Sequence, residues 1–152
     1  MTRVQLHDHY VEHVKKLLKA RNVQVQSGGR RGGSRLAATR FDLLTDDATI
    51  AVRVAKRSSF TWRVSVNGRR YVYHYRGHRW NLHSRGSTRL RPDVWILVAA
   101  AKSPRFFLVS GERVRGFYTL TLREQSRTWL LDCEDQWTTI RSSAPVGERS
   151  AA

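Results

Sequence analysis

Phe60-Thr61-Trp62-Arg63-Val64-Ser65-Val66-Asn67-Gly68-Arg69-Arg70-Tyr71-Val72-Tyr73-His74-Tyr75 reads as two alternating runs around Asn-Gly. Asn-Gly between such runs is the strongest short-range hairpin signal, because a two-residue type I′ turn needs positive φ at both central positions. A period of two puts Trp62, Val64 and Val66 on one face and Arg63 and Ser65 on the other. In the returning run Tyr71, Tyr73 and Tyr75 share a face, and Val72 and His74 share the opposite one. The fold therefore contains an antiparallel hairpin that either extends a sheet or projects from it as a basic arm.

The hairpin lies in a stretch of one charge sign. Between Asp47 and Asp93 there is no acidic residue but eleven cations: Arg53, Lys56, Arg57, Arg63, Arg69, Arg70, Arg76, Arg79, Arg85, Arg89 and Arg91. Phe60, Trp62, Tyr71, Tyr73, Tyr75 and Trp80 are interleaved with them. Ordinary surfaces mix both signs. A basic field studded with rings suits a polyanion with stackable bases, so the expected partner is nucleic acid rather than an acidic protein or a lipid surface. The formal charge of +16 on 152 residues points the same way, and binding by counterion release must weaken steeply with salt. Lys56, Arg57, Arg63, Arg69, Arg70, Arg76, Arg79, Arg85 and Arg89 are the expected phosphate contacts. Tyr73, Tyr75 and Trp80 are candidates for stacking on bases, although the default for half of these rings is the core. The glycine-rich loop Ser27-Gly28-Gly29-Arg30-Arg31-Gly32-Gly33-Ser34, followed by Arg35, either wraps a phosphate backbone or is a plain flexible connection.

Outward from the hairpin, residues 5–20 carry Leu6, Tyr10, Val14, Leu17 and Leu18 at helical spacing, and Asn22 is a stop signal. Val23-Gln24-Val25-Gln26 alternates like a short strand. Residues 41–44 and 49–54 read as strands joined by a turn at Asp46-Asp47. Val94-Trp95-Ile96-Leu97-Val98-Ala99-Ala100 is an apolar run typical of a strand buried on both faces. Lys102-Ser103-Pro104 turns the chain into Arg105-Phe106-Phe107-Leu108-Val109-Ser110. Residues 123–137 are expected to be helical, with Trp129, Leu130, Cys133 and Trp137 on one side. One domain spans 1–141, and 142–152 is expected to be a disordered tail. Cys133, the single cysteine, reads as a small buried hydrophobe. It excludes an intrachain disulfide and suits a reducing compartment. No run is long enough to span a membrane, and residues 1–7 lack the apolar core of a signal peptide. The expectation is a cytoplasmic protein, nucleoid-associated if bacterial.

The order of a helix, a strand with Phe41-Asp42-Leu43-Leu44, a strand with Ile50-Ala51-Val52-Arg53, and then a buried strand resembles the PD-(D/E)XK nuclease superfamily over residues 5–110. Trp80-Asn81-Leu82-His83, Arg91-Pro92-Asp93-Val94-Trp95 and Phe106-Phe107-Leu108-Val109 add to the resemblance. It implies an α/β fold of restriction-endonuclease-like type: a mixed central sheet flanked by the first helix and a C-terminal one, with the basic β-hairpin. It also implies magnesium-dependent phosphodiester hydrolysis. In that family an Asp and a following Glu hold the metal, and a Lys two residues after the Glu acts on the attacking water. Residues two apart in a strand point the same way, which explains the spacing.

Asp42 matches the Asp and is the one metal-ligand candidate. The Glu position falls on Ala51, which has no ligand atom. The Lys position falls on Arg53, whose pKa above about 12 bars it from acting as a neutral base. Lys56 lies on the other side of a regular strand. The resemblance so implies a degenerate metal site and weak or absent cleavage by a domain that still binds nucleic acid, DNA ahead of RNA. The first alternative is an active magnesium-dependent endonuclease with a relocated carboxylate, Glu12 or Asp93. The second is an RNA- or ribosome-binding module. A homodimer follows only by analogy. Two further constellations are weaker: His9 and His13 share a helix face at metal-ligand spacing, and His78, Asn81 and His83 lie too close together for an HNH finger.

Overall fold

The computed structural model describes residues 1–28, 41–82 and 91–141. Arg30, Arg31, Arg35, Arg85, Arg89, His83 and the expected tail lie outside the described residues.

Helix α1 (Arg3–Ala20) starts from a capping box: the Gln5 N–H donates to the Thr2 hydroxyl and the Thr2 N–H to Gln5 Oε1. It ends where Asn22 takes φ 62°, a left-handed residue of the kind that terminates helices. Tyr10, Val14 and Leu18, four apart, form its buried stripe.

Five strands make the central sheet: β1 (Gln26–Ser27), β2 (Leu43–Leu44), β3 (Thr49–Lys56), β6 (Val94–Ala100) and β7 (Arg105–Ser110), in the order β1-β2-β3-β6-β7. β3 and β6 are parallel and the other pairs antiparallel, so the sheet is mixed. Val94 to Ala99 are buried without exception. The alternation splits them between two cores. Val94, Ile96 and Val98 join the stripe of α1 on one face. Trp95, Leu97 and Ala99 join Trp80, Phe107 and Leu130 on the other.

A parallel pair needs a crossover, which is usually a helix. Among the described residues of this connection, a β-hairpin stands in that place, and a strand from later in the chain joins it as a third. β3 runs through Arg57 into β4 (Ser58–Val66), the chain returns as β5 (Arg69–Asn81), and β8 (Thr119–Arg123) pairs with the far end of β5. The root of β5 is anchored on the second core. Trp80 is 1% exposed, its indole N–H donates to the Val98 carbonyl at 3.0 Å, and its ring lies 5.9 Å from that of Phe107. Gly77 is where β5 passes closest to β8: a Cβ there would sit 2.0 Å from the Leu122 carbonyl oxygen.

The expected helix over 123–137 is absent. The segment before it is β8, whose Leu120 and Leu122 are buried and whose period is two. Beyond it lie two short 3₁₀ turns, Trp129–Cys133 and Trp137–Thr139. Leu130 and Cys133, three apart, are buried on one side of the first, which suits 3₁₀ geometry. Of the strand expected at residues 23–26, only Gln26 is strand, in β1. The fold is mixed α/β with two sheets and, among the described residues, one α-helix; no helix described is long and apolar enough to cross a membrane.

Candidate nucleic-acid interface and the Asp42 centre

The Asn67–Gly68 hairpin forms in the register the alternation requires. Asn67 and Gly68 take φ of 51° and 76°, the two positive values of a type I′ turn, and Val66 pairs with Arg69, Val64 with Tyr71, Trp62 with Tyr73 and Phe60 with Tyr75. β8 meets β5 only from Gly77 to Asn81. Beyond Gly77 the hairpin is a two-stranded ribbon standing off the body. Residues 61–63 and 65–74 are exposed, on both faces.

Residues directly opposite each other share a face, so the ribbon has two chemically different sides. One carries Phe60, Trp62, Tyr71, Tyr73, Tyr75 and Arg69. The other carries Arg63, Arg70, Arg76 and His74, with Thr61 3.3 Å from the His74 ring nitrogen. Trp62, Tyr73 and Tyr75 form a near-equilateral ring cluster, with centroids 6.1 to 6.3 Å apart. Arg79 lies over Phe60 and Arg123 over Tyr75, each 4.6 Å from the ring centre. An isolated ribbon is marginal in water. Cross-strand ring pairs of this kind contribute about 0.2–1 kcal/mol each to holding it together.

Of the expected contact residues, Lys56, Arg63, Arg69, Arg70, Arg76 and Arg79 are exposed along or beside the ribbon, as are Tyr73 and, in part, Tyr75. One expectation is corrected. Trp80 is not a stacking surface, because even numbering puts it on the inner face at the anchored end, where it is sealed into the second core. Arg57 is exposed, and its Nε and Nη2 pair with the Glu124 carboxylate. That pair holds the Glu124 pKa down and the Arg57 pKa up through the shared hydrogen bonds. Sequence reading passed over Trp62, Arg123 and His7. Trp62 carried the same period-two signal as the tyrosines; Arg123 and β8 were hidden by the expected helix.

Asp42 sits in the bend just before β2. Its Oδ2 accepts the Val52 N–H at 2.7 Å and lies 3.8 Å from Arg53 Nη1. Its Oδ1 lies 3.2 Å from His7 Nε2. The same imidazole nitrogen is 3.1 Å from the Val52 carbonyl oxygen, to which Arg53 Nη1 also donates at 3.1 Å. Both backbone groups of Val52 are thus satisfied by side chains on the margin of β3 that β2, only two residues long, leaves uncovered. Arg53 is further fixed by donation to the Asn81 carbonyl and by stacking on Trp95, 5.1 Å from its ring centre. The hydrogen bond and charge of Asp42 raise the His7 pKa above its ordinary value, against the opposing effects of burial and of Arg53.

This centre does not fit magnesium. A hard divalent ion needs oxygen ligands; here one carboxylate has both oxygens engaged by an amide, an imidazole and a guanidinium. Ala51 is fully buried in the second core. Among the described residues no three His, Cys, Asp or Glu side chains converge as a metal site. The carboxylates of the alternative reading lie elsewhere. Asp93 accepts from the Thr49 backbone N–H at 2.9 Å and hydroxyl at 3.1 Å, and Glu12 is exposed on α1. His9 and His13 pack as rings, His13 against Phe106 at 5.3 Å. His78 meets the Ala55 carbonyl at 2.9 Å and stacks on Trp80. Comparison with protein families, curated proteins and solved structures finds no match to this chain.

Proposed function

We propose that the chain is a nucleic-acid-binding domain, acting on DNA ahead of RNA, that grips phosphates with its projecting ribbon and does not hydrolyse them at Asp42. The observation that carries this reading is the ribbon itself. It is exposed on both faces, bears Arg63, Arg69, Arg70 and Arg76, and lies in a stretch free of acidic residues from 48 to 92. A thin cationic arm of this kind can follow a groove or a backbone, and its phosphate contacts would position the protein without reading sequence.

The mixed sheet, the helix against it and the carboxylate at the mouth of β2 are compatible with a restriction-endonuclease-like ancestry. On that reading Arg53 and His7 supply positive charge where such an enzyme would place a cation, and the site has become a structural clamp. The preference for DNA rests on the resemblance alone.

The test is incubation of the full chain with supercoiled plasmid, with labelled duplex and with structured RNA, in magnesium and in EDTA. Retarded, intact DNA under both conditions supports the reading. Cleavage that EDTA stops favours an active nuclease, and retention of RNA alone favours an RNA-binding module.

A further inference from the structure

We propose that the ring-bearing face of the ribbon stacks the unpaired bases of a single strand, so that the substrate class is nucleic acid with single-stranded segments. This rests on the nucleic-acid reading above and narrows it. The arginine face needs only a phosphate chain, which any duplex offers. An intact duplex, whose bases already stack on one another, offers the ring face no exposed base to stack on.

The geometry suits splayed bases. Tyr73 and Tyr75 lie two positions apart on β5, with ring centres 6.3 Å apart and planes within 14° of parallel. Near-parallel rings on one exposed strand face suit successive bases of a single strand. Trp62 completes a platform of three rings, with Trp62 55% and Tyr73 46% exposed. Half-exposed large rings on a projecting arm are unusual for a surface that only faces water. Cations share that face: Arg123 lies over Tyr75, Arg79 over Phe60 beside the platform, and Arg69 is at the tip. Every base has a π-face, so stacking of this kind tolerates sequence, while the cations hold the connecting phosphates. A second copy of the chain is the competing occupant. The charge argues against it, because two such arms would bring arginines together with no acid between them.

The experiment titrates the full-length protein with a labelled oligothymidine and with a duplex of equal length, by anisotropy across a salt series. Wild type is compared with Trp62→Leu, Tyr73→Leu and Trp62→Phe, each checked for an unchanged Tm. Each Leu substitution should weaken single-strand binding by about ten-fold, leave the salt slope unaltered and leave duplex binding unaltered. Trp62→Phe should recover most of the loss. Equal weakening on strand and duplex, or no weakening, overturns the ring-stacking inference and leaves the phosphate-binding function standing. A wild-type dimer in sedimentation that the Leu variants dissociate, without loss of strand affinity, assigns the rings to self-association and also overturns it. Absence of binding to either probe at low salt defeats the underlying function instead.

Discussion

His7 Nε2 stands 3.2 Å from Asp42 Oδ1, so α1 is tied through one imidazole to the residue that also receives the Val52 N–H. Asp42 is thereby a joint between the helix, the start of β2 and the uncovered margin of β3. Its removal is a stability change before it is a chemical one.

Asp42→Ala leaves the Val52 N–H without its acceptor and removes the carboxylate beside His7 and Arg53. A lost acceptor costs about 1–3 kcal/mol, measurable as a lower midpoint in urea unfolding. Asp42→Asn keeps an acceptor and should lose less. Neither should change nucleic-acid affinity by more than about two-fold, since neither touches the ribbon.

The His7 contact makes stability depend on pH with a definite sign. The folded-state pKa is raised by Asp42, so the folded protein holds the proton more tightly than the unfolded chain. The gain is complete below the unfolded value of about 6.5 and is lost as pH rises through the raised folded value. The Tm difference between wild type and His7→Gln should therefore be largest in mildly acidic buffer and shrink on the alkaline side. A difference that does not vary with pH would refute this role for His7.

Ala51→Glu with Arg53→Lys, the substitution that restores the nuclease pattern on paper, should not restore a metal site. Ala51 is fully buried among Trp80, Trp95 and Leu97, and an unpaired carboxylate there costs several kcal/mol. The double variant should unfold at a markedly lower temperature and gain no magnesium-dependent plasmid nicking. Recovery of nicking by a stable variant would contradict the clamp.

Much of this was legible in sequence. The Asn67–Gly68 ribbon, the doubly buried β6 and the stripe of α1 each came from a strong local period that packing reinforced. The helix expected over 123–137 failed because Thr119-Leu120-Thr121-Leu122-Arg123 was not read as a strand, and because Leu130 and Cys133 fit a 3₁₀ turn as well as an α-helix. The pairing of β8 with the root of β5 depends on tertiary packing, which no local pattern encodes. At the Asp42 centre the sequence singled out Asp42 but not the partners that engage it, His7 and the Val52 amide. His7 is a long-range partner, although it lies three residues before Tyr10 and so extends the buried stripe of α1. The charged, aromatic neighbourhood of Trp80 suggests a stacking ring; its burial comes from the packing of the root of β5 against Val98 and Phe107, which strand parity does not encode.

Gly77 separates the ribbon from its root. A Cβ there would lie 2.0 Å from the Leu122 carbonyl, so Gly77→Ala must push β8 away or bend β5, at about 1–3 kcal/mol. Gly68→Ala meets no neighbour within 4 Å but must hold φ at +76°, which costs about 1–2 kcal/mol locally. Hydrogen exchange distinguishes them: Gly77→Ala should expose amides of β8 as well as β5, and Gly68→Ala only those near the tip.

The most direct test of the central claim is the affinity of the full chain for a labelled DNA carrying duplex and single-stranded arms, measured from low to moderate salt in magnesium and in EDTA. The expected result is a steep negative slope of log K against log salt, the same in both buffers, on DNA that stays intact. Arg63→Ala with Arg70→Ala should flatten it by roughly one unit per lost phosphate contact. A slope near zero, no retention at low salt, or magnesium-dependent cleavage abolished by Asp42→Ala would contradict it.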